Sequence, residues 1–175
     1  MEESLLNRAK KVKLLLLDVD GVLTDGRIIY DSAGRDAKFF DVHDGLGVYL
    51  LKRAGIPTIL ITAKASRAIK PRARDMQVAD VFEDISPKNA VLDKILKKLK
   101  LTPQEVCFVG DDLVDICLMK RVGFAIAVFN ACAEVKNLAH YITQKEGGRG
   151  AVREVAELIL KSQDKWQETL TLYQY

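Results

Sequence analysis

Short, largely apolar runs alternate along this chain with stretches of helical periodicity, and that alternation restricts the folds open to it. Val12 to Leu17, Thr58 to Ile61, Val106 to Val109 and Ala125 to Phe129 read as strands, with shorter ones at Val81-Phe82 and Tyr141-Ile142. Helical patterns lie between and after them, over Gly45 to Ala54, Ser66 to Met76, Pro87 to Leu99, Leu113 to Val122, Ala133 to Leu138 and Ala151 to about Gln163. Strands apolar on both faces must be covered on both faces. The pattern therefore predicts an α/β fold, a Rossmann-like, doubly wound parallel sheet with helices on either side. No Pro/Gly/Ser-rich linker interrupts it, so the 175 residues are expected to form one domain, 1–175.

Boundary signals refine this. Thr102-Pro103-Gln104-Glu105 carries a capping box with proline at the first helical position. Asp44 precedes the helix that Gly55 ends and reads by default as its cap, while Gly123 closes the helix from Leu113. Pro71 means that its helix either kinks there or begins near Ile69. One segment breaks the alternation: Ile28-Ile29-Tyr30 and Ala37 to Phe40 flank the turn cluster Asp31 to Arg35, which predicts a β-hairpin over about 27–41, after the first strand. Its apolar side chains either fold back on the domain or pack on another subunit. The tail, about 164–175, adds Trp166, Tyr173 and Tyr175, able to dock across a subunit boundary or to stay free.

Composition excludes several classes. Twenty-seven basic against 24 acidic residues leave a net charge of +3, no basis for a nucleic-acid partner. No apolar run approaches the ~20 residues of a membrane-spanning helix, and the run at Leu14 to Leu17 leads straight into Asp18, so no membrane anchor or signal peptide is expected and the location is expected to be cytoplasmic. The three cysteines, Cys107, Cys117 and Cys132, form no C-x-x-C pair and suggest neither a disulfide framework nor a zinc site, and Cys107 and Cys117 read as buried structural thiols.

Ligands of open parallel sheets bind beyond the carboxyl ends of the strands. Past those ends this chain carries Asp18, Asp20, Thr24 and Asp25, then Thr62 and Lys64, then Gly110-Asp111-Asp112 with Asp115 a turn later, and Lys88 opens the helix after the short third strand. Singly these are caps or solvated side chains; together, so many acids in one crevice require a cation. Oxygen ligands without His or Cys point to Mg²⁺. His43 could cap a helix or hydrogen-bond a ligand, and His140 reads as structural.

Asp18-Val19-Asp20-Gly21-Val22-Leu23-Thr24 resembles the D-x-D-G-x-x-T signature of haloacid dehalogenase-superfamily phosphatases, with Thr62, Lys88 and Gly110 to Asp115 as that family's other motifs in order. The resemblance implies that Asp18 attacks the phosphoryl group and Asp20 serves as general acid and then base. It also implies that Thr62 and Lys88 bind the phosphoryl oxygens, and that Asp18, the Asp20 carbonyl and Asp111 hold Mg²⁺. Over about residues 10 to 163 the chain is more closely similar to the capless 3-deoxy-D-manno-octulosonate 8-phosphate phosphatases, through Asp18 to Gly26, the hairpin leading to Val42-His43-Asp44-Gly45-Leu46-Gly47, Gly110 to Asp115, and Gly147 to Glu154. This closer resemblance implies that there is no separate cap domain and that the enzyme is a homotetramer with hairpin and C-terminal segment at subunit contacts. The implied substrate is a small sugar acid phosphate of lipopolysaccharide synthesis, contacted by Asp41, Val42, His43, Asp44, Gly45 and Arg72. Where such enzymes read Gly-Arg after the motif-two hydroxyl, this chain has Ala63-Lys64, so Lys64 keeps the charge and loses the bidentate fork. Another sugar acid phosphate, such as N-acylneuraminate 9-phosphate, is the rival substrate, and a receiver-like phospho-binding module is the rival class. Gly147-Gly148 either lets backbone approach a ligand or is a flexible turn.

Overall fold

Four consecutive leucines, Leu14–Leu17, form strand β1, and solvent reaches none of them. A strand buried on both faces belongs at the centre of a covered sheet. The computed structural model, which describes residues 3–173, places it there. Helix α1 (Glu3–Lys10) precedes it. After it come a two-stranded hairpin, β2 (Ile29–Tyr30) and β3 (Asp36–Ala37), then α2 (Val42–Arg53), β4 (Thr58–Ile61), α3 (Ile69–Met76), β5 (Asp80–Phe82) and α4 (Asn89–Leu99). The second half runs β6 (Val106–Gly110), α5 (Ile116–Met119), β7 (Phe124–Ala127), α6 (Ala133–Leu138), β8 (Tyr141–Ile142), α7 (Ala151–Ser162) and α8 (Trp166–Thr171).

Six strands form one parallel sheet in the order β5-β4-β1-β6-β7-β8, while β2 and β3 pair antiparallel in a sheet of their own. Helices α1, α2, α3 and α7 make one contiguous layer and α4, α5 and α6 another, as right-handed crossovers in both directions from the centre require. The chain winds outward from β1 to β5 and then from β6 to β8, so the order reverses between β1 and β6. That reversal opens the crevice where parallel sheets bind ligands. Leu17 lies level with Leu60 and Val109, so the residues following all three strands emerge together. The expected α/β fold is the observed one.

Some boundaries moved for identifiable reasons. α2 begins at Val42, because the carboxylate of Asp41, not Asp44, accepts the amide of His43 as its N-cap. α3 begins at Ile69 and carries Pro71 in its first turn, where proline costs no hydrogen bond, so there is no kink. The helix expected over Leu113 to Val122 is a 3-10 turn, Leu113–Asp115, followed by the four residues of α5. The box at Thr102 closes only a 3-10 turn, Pro103–Glu105, before β6. Neither α1 nor α8 was expected. α1 buries only Leu5 and Ala9, too few apolar positions to set a period. α8 folds the tail back on its own α7: Lys161 Nζ lies 5.0 Å from the Trp166 ring centroid, and Lys165 donates to the Ala54 carbonyl. Trp166 is thus engaged within its own chain, while Tyr173 is exposed and Tyr175 lies outside the described residues. No helix among the described residues is long and apolar enough to cross a membrane.

Candidate active site

The site starts where β1 ends. The Asp18 amide donates to Val109 O at 3.1 Å, carrying the ladder one residue past the strand. The chain then turns sharply, with the amides of Val22, Leu23 and Thr24 all donating to Val19 O. Thr24 is no ligand group but a brace: its hydroxyl oxygen accepts the amides of Gly21 and Gly26. Gly21 has φ of +86°, and a Cβ there would overlap the Asp111 carboxylate, so only glycine lets the two acidic loops meet.

Lys88 opens the approach to α4 with a side chain 1% exposed. Its ammonium lies 2.6 Å from Asp18 Oδ1 and 2.7 Å from Asp115 Oδ1. The other oxygen of Asp115 accepts the amides of Asp111 at 2.8 Å and Asp112 at 3.4 Å, which is why the segment after β6 tightens into a 3-10 turn. Asp112 caps that turn through the Leu113 amide. Thr62, buried past the end of β4, exchanges hydrogen bonds with the backbone of Lys64.

The charges do not balance. Asp18, Asp111 and Asp115 offer oxygens within 4.8 Å of one another, with one buried ammonium among them. Burial, and then the neighbouring Asp115, push Asp18 up to about 6 against the pull of Lys88. Burial, Asp18 and Asp115 push Asp111 up to about 8. For Lys88, burial opposes the charge but Asp18 and Asp115 outweigh it, so its pKa is raised. Asp111 Oδ1 is buried with no hydrogen-bond partner. A divalent cation with oxygen ligands meets both needs, supplying charge and a partner for the orphaned oxygen. Asp115 is already satisfied by Lys88 and two amides, which leaves Asp18 and Asp111 as the side chains free to hold Mg²⁺.

A cleft of about 220 Å³ gathers Asp18, Asp20, Thr62, Lys64, Lys88 and Asp111 along its walls. Six of the sequence-derived site residues therefore meet. Asp41, Val42, His43, Asp44, Gly45 and Arg72 do not line it. They form a separate cluster at the start of α2. Arg72 Nη2 donates to Asp41 O at 2.7 Å, and its guanidinium lies 5.6 Å from the Phe40 ring centroid. The Arg72 guanidinium lies close over Gly45, so a Cβ there would push that side chain aside. His43 and Val42 are exposed, with His43 Nδ1 2.9 Å from Asp41. Asp44 corrects the reading most: it is fully buried and caps α7 across space, accepting from Arg153 N at 2.8 Å and Gly150 N at 3.3 Å. Burial pushes its pKa up to about 6. Asp44 thus joins α2 to α7 while Gly45 lies against Arg72 of α3, and neither lines the cleft.

Gly147 and Gly148 do allow a close approach, but to protein: Gly148 N donates to Val22 O at 2.9 Å, and a Cβ at Gly147 would overlap the Gly21 carbonyl. Lys64 reaches the hairpin, donating to the Tyr30 hydroxyl at 2.8 Å. His140 is structural, its Nδ1 accepting the Ala125 amide. Sequence reasoning passed over Lys38, whose side chain is 3% exposed and pairs with the Asp20 carboxylate. The available signal was a single lysine inside the apolar arm Ala37 to Phe40.

Residues 61–155 match the family described as haloacid dehalogenase-like hydrolase. With the fold and site in place, the chain belongs to that family of hydrolases. Within it, the relatives it resembles are 3-deoxy-D-manno-octulosonate 8-phosphate phosphatases. It is 37% identical to KdsC of Yersinia pestis over 93% of this chain and 87% of that one. The figures for KdsC of Escherichia coli K12 are 37%, 92% and 86%. The structure of the Moraxella catarrhalis phosphatase in complex with magnesium ion, phosphate ion and KDO superimposes with a TM-score of 0.96 at 38% identity, covering 99% of both chains. Membership among hydrolases sets aside the receiver-like signalling module.

Proposed function

We propose that this chain is a Mg²⁺-dependent phosphomonoesterase that releases phosphate from 3-deoxy-D-manno-octulosonate 8-phosphate in lipopolysaccharide precursor synthesis. The observation that carries the reading is the convergence of Asp18, Asp20, Thr62, Lys88 and Asp111 on one cleft at the reversal of the sheet, in a chain 37% identical to phosphatases for that sugar.

Asp18 attacks phosphorus and carries the phosphoryl group as an aspartyl-phosphate, so one hard hydrolysis becomes two easier displacements. Lys88, 2.6 Å from Asp18, orients the nucleophile and offsets charge on the transferring group. Thr62 and the amides past β4 bind phosphoryl oxygens. Asp20 protonates the leaving alkoxide, then takes a proton from the water that cleaves the intermediate. Mg²⁺, held by Asp18, the Asp20 carbonyl and Asp111, supplies charge neutralisation that lets an anionic nucleophile meet an anionic substrate. Asp115 positions Lys88 and the Asp111 loop.

The working unit is a homotetramer of one-domain chains, 1–175. Its support is the hairpin, which leaves Ile28 53%, Tyr30 58% and Phe39 65% exposed in the single chain. The cluster Asp41, Val42, His43 and Arg72 serves the sugar from beyond the cleft wall, where a neighbouring hairpin completes the pocket. The cytoplasm is the compartment, in keeping with three cysteines that form no disulfide.

The test is phosphate release from a panel of sugar phosphates, with Asp18→Asn as control and with chelator added and then reversed by Mg²⁺. The octulosonate phosphate leading the panel, with activity lost on chelation, supports the reading. Preference for N-acylneuraminate 9-phosphate would move the substrate and keep the chemistry. Release that survives Asp18→Asn would overturn the mechanism.

A further inference from the structure

Each of the two aspartates of the first motif has its own buried lysine. Lys88 comes from the start of α4 and serves Asp18, with an ammonium side chain 1% exposed. Lys38 comes from the hairpin and serves Asp20, with a side chain 3% exposed. Burying an ammonium is costly unless it is paired, and Lys38 is paired twice: with the Asp20 carboxylate, and with Asp36 Oδ2 at 3.9 Å. Among the described residues, Lys38 is the one side chain that hydrogen-bonds the Asp20 carboxylate. Asp20 stands in a loop past the strand end, 32% exposed and lining the cleft, and the Lys38 pair holds its carboxylate there. Lys38 does not itself line the cleft. The other arm of the hairpin, paired with this one through Tyr30 and Asp36, is fixed at a second point, where Lys64 from the loop after β4 bonds the Tyr30 hydroxyl at 2.8 Å.

From this geometry we infer that Lys38 is a positioning residue for proton transfer: it holds the Asp20 carboxylate toward the leaving oxygen and then toward the attacking water, and so couples the placement of the hairpin to turnover. The inference rests on the phosphatase reading above and adds to it a residue outside the four motifs. It also gives the hairpin a task within its own chain.

The step that needs Asp20 as acid is expulsion of an alkoxide; a nitrophenolate leaves without a proton. The experiment uses the full chain with saturating Mg²⁺, comparing wild type, Lys38→Met and Lys38→Arg. Single-turnover release is followed from 3-deoxy-D-manno-octulosonate 8-phosphate and from p-nitrophenyl phosphate, with KM and the thermal midpoint recorded. For Lys38→Met, release from the sugar phosphate should fall about 100-fold, within the range for loss of general acid catalysis. KM should stay within about threefold, and p-nitrophenolate release within about fivefold of wild type, because no proton is needed. Lys38→Arg should recover at least about a tenth of the lost rate, since charge and hydrogen-bond donors are kept. Equal losses on both substrates, or a rise in KM alone, would overturn the inference, the first marking a merely structural lysine and the second a substrate contact. Should the methionine variant lose its cooperative transition, Lys38→Gln takes its place in the same comparison. A wild-type protein inert toward every phosphomonoester would instead sink the phosphatase reading, a result distinct from any of these.

Discussion

The carboxyl edge of the sheet and the hairpin invert the usual arrangement of a protein in opposite ways. At the edge, charge is inside: Asp18, Lys88 and Asp115 are each 5% exposed or less. On the hairpin, apolar side chains are outside, with Phe39 65% exposed. Burying charge is costly unless it is paired, and exposing large apolar surface is unfavourable unless something covers it. The edge answers its cost mostly within the chain, through Lys88 and the amides before Asp115, and leaves a shortfall of positive charge suited to a cation. The hairpin is tied to the rest of the chain through Lys38, Tyr30 and Phe40, and leaves Ile28, Tyr30 and Phe39 uncovered. On the function proposed above, a small ion completes one region and a protein surface the other, and substitutions in the two should have separable consequences.

Asp18→Asn tests the edge most severely. Loss of the nucleophile should lower phosphate release by about 10³-fold or more, while the circular dichroism spectrum stays that of the wild type, since asparagine keeps the shape. Lys88→Met should come next. It leaves Asp18 and Asp115 buried without their ammonium, and breaking such a pair costs about 3–5 kcal/mol, readable as a lowered urea midpoint. Mg²⁺ should restore part of that loss by supplying charge at Asp18 and Asp111, whereas no such rescue is expected for a hairpin variant.

Asp44 lies at the seam, where the chain leaving the hairpin enters α2 and meets α7. Its pKa in the folded protein is about 6, above the ordinary 3.8 of an unfolded chain, because burial disfavours the charged form. The folded state thus holds this proton more tightly, and stability should fall as pH rises from about 4 through 6. The penalty is absent below that window and complete above it. Asp44→Asn should remove this dependence, so that the stability difference between wild type and variant changes across the window by about 3 kcal/mol at most, measured by urea unfolding at each pH. A difference that stays flat would mean that the carboxylate is not held as buried as the α7 cap requires.

The smallest effect on stability is expected from the hairpin itself. Phe39→Ser together with Tyr30→Phe should move the unfolding midpoint of the isolated chain by no more than about 0.5 kcal/mol. The same change should shift the sedimentation profile toward smaller species. An unchanged mass with a large loss of stability would reverse the contrast between the two regions.

The sheet was legible because its strands are apolar throughout and its helices periodic, both local properties of consecutive residues. Thr58–Ile61, Tyr141–Ile142 and Ala133–Leu138 stand where the pattern puts them. The first motif was legible because Asp18 and Asp20 follow a strand directly, so their destination at the sheet edge needs no tertiary information. Asp44 was misread because a cap is ordinarily sought within its own helix, and this one caps a helix more than a hundred residues on. Lys38 was passed over because an alternating hairpin arm predicts a face for each side chain but not a partner.

The sequence by itself determined the class of fold, the order of its elements and the acids gathered at one edge, since each is set by spacing within a few residues. The tertiary structure decided which charge answers which. Lys88 meets an aspartate 27 positions away, Lys38 one 18 positions away, and Asp111 reaches Asp18 because β6 lies beside β1 in the sheet. Periodicity fixes which way a side chain points relative to its own element. Pairing across elements depends on strand order, on glycines at 21 and 147 that let loops close on one another, and on the balance between desolvation and the nearest opposite charge, quantities that exist only once the chain is folded.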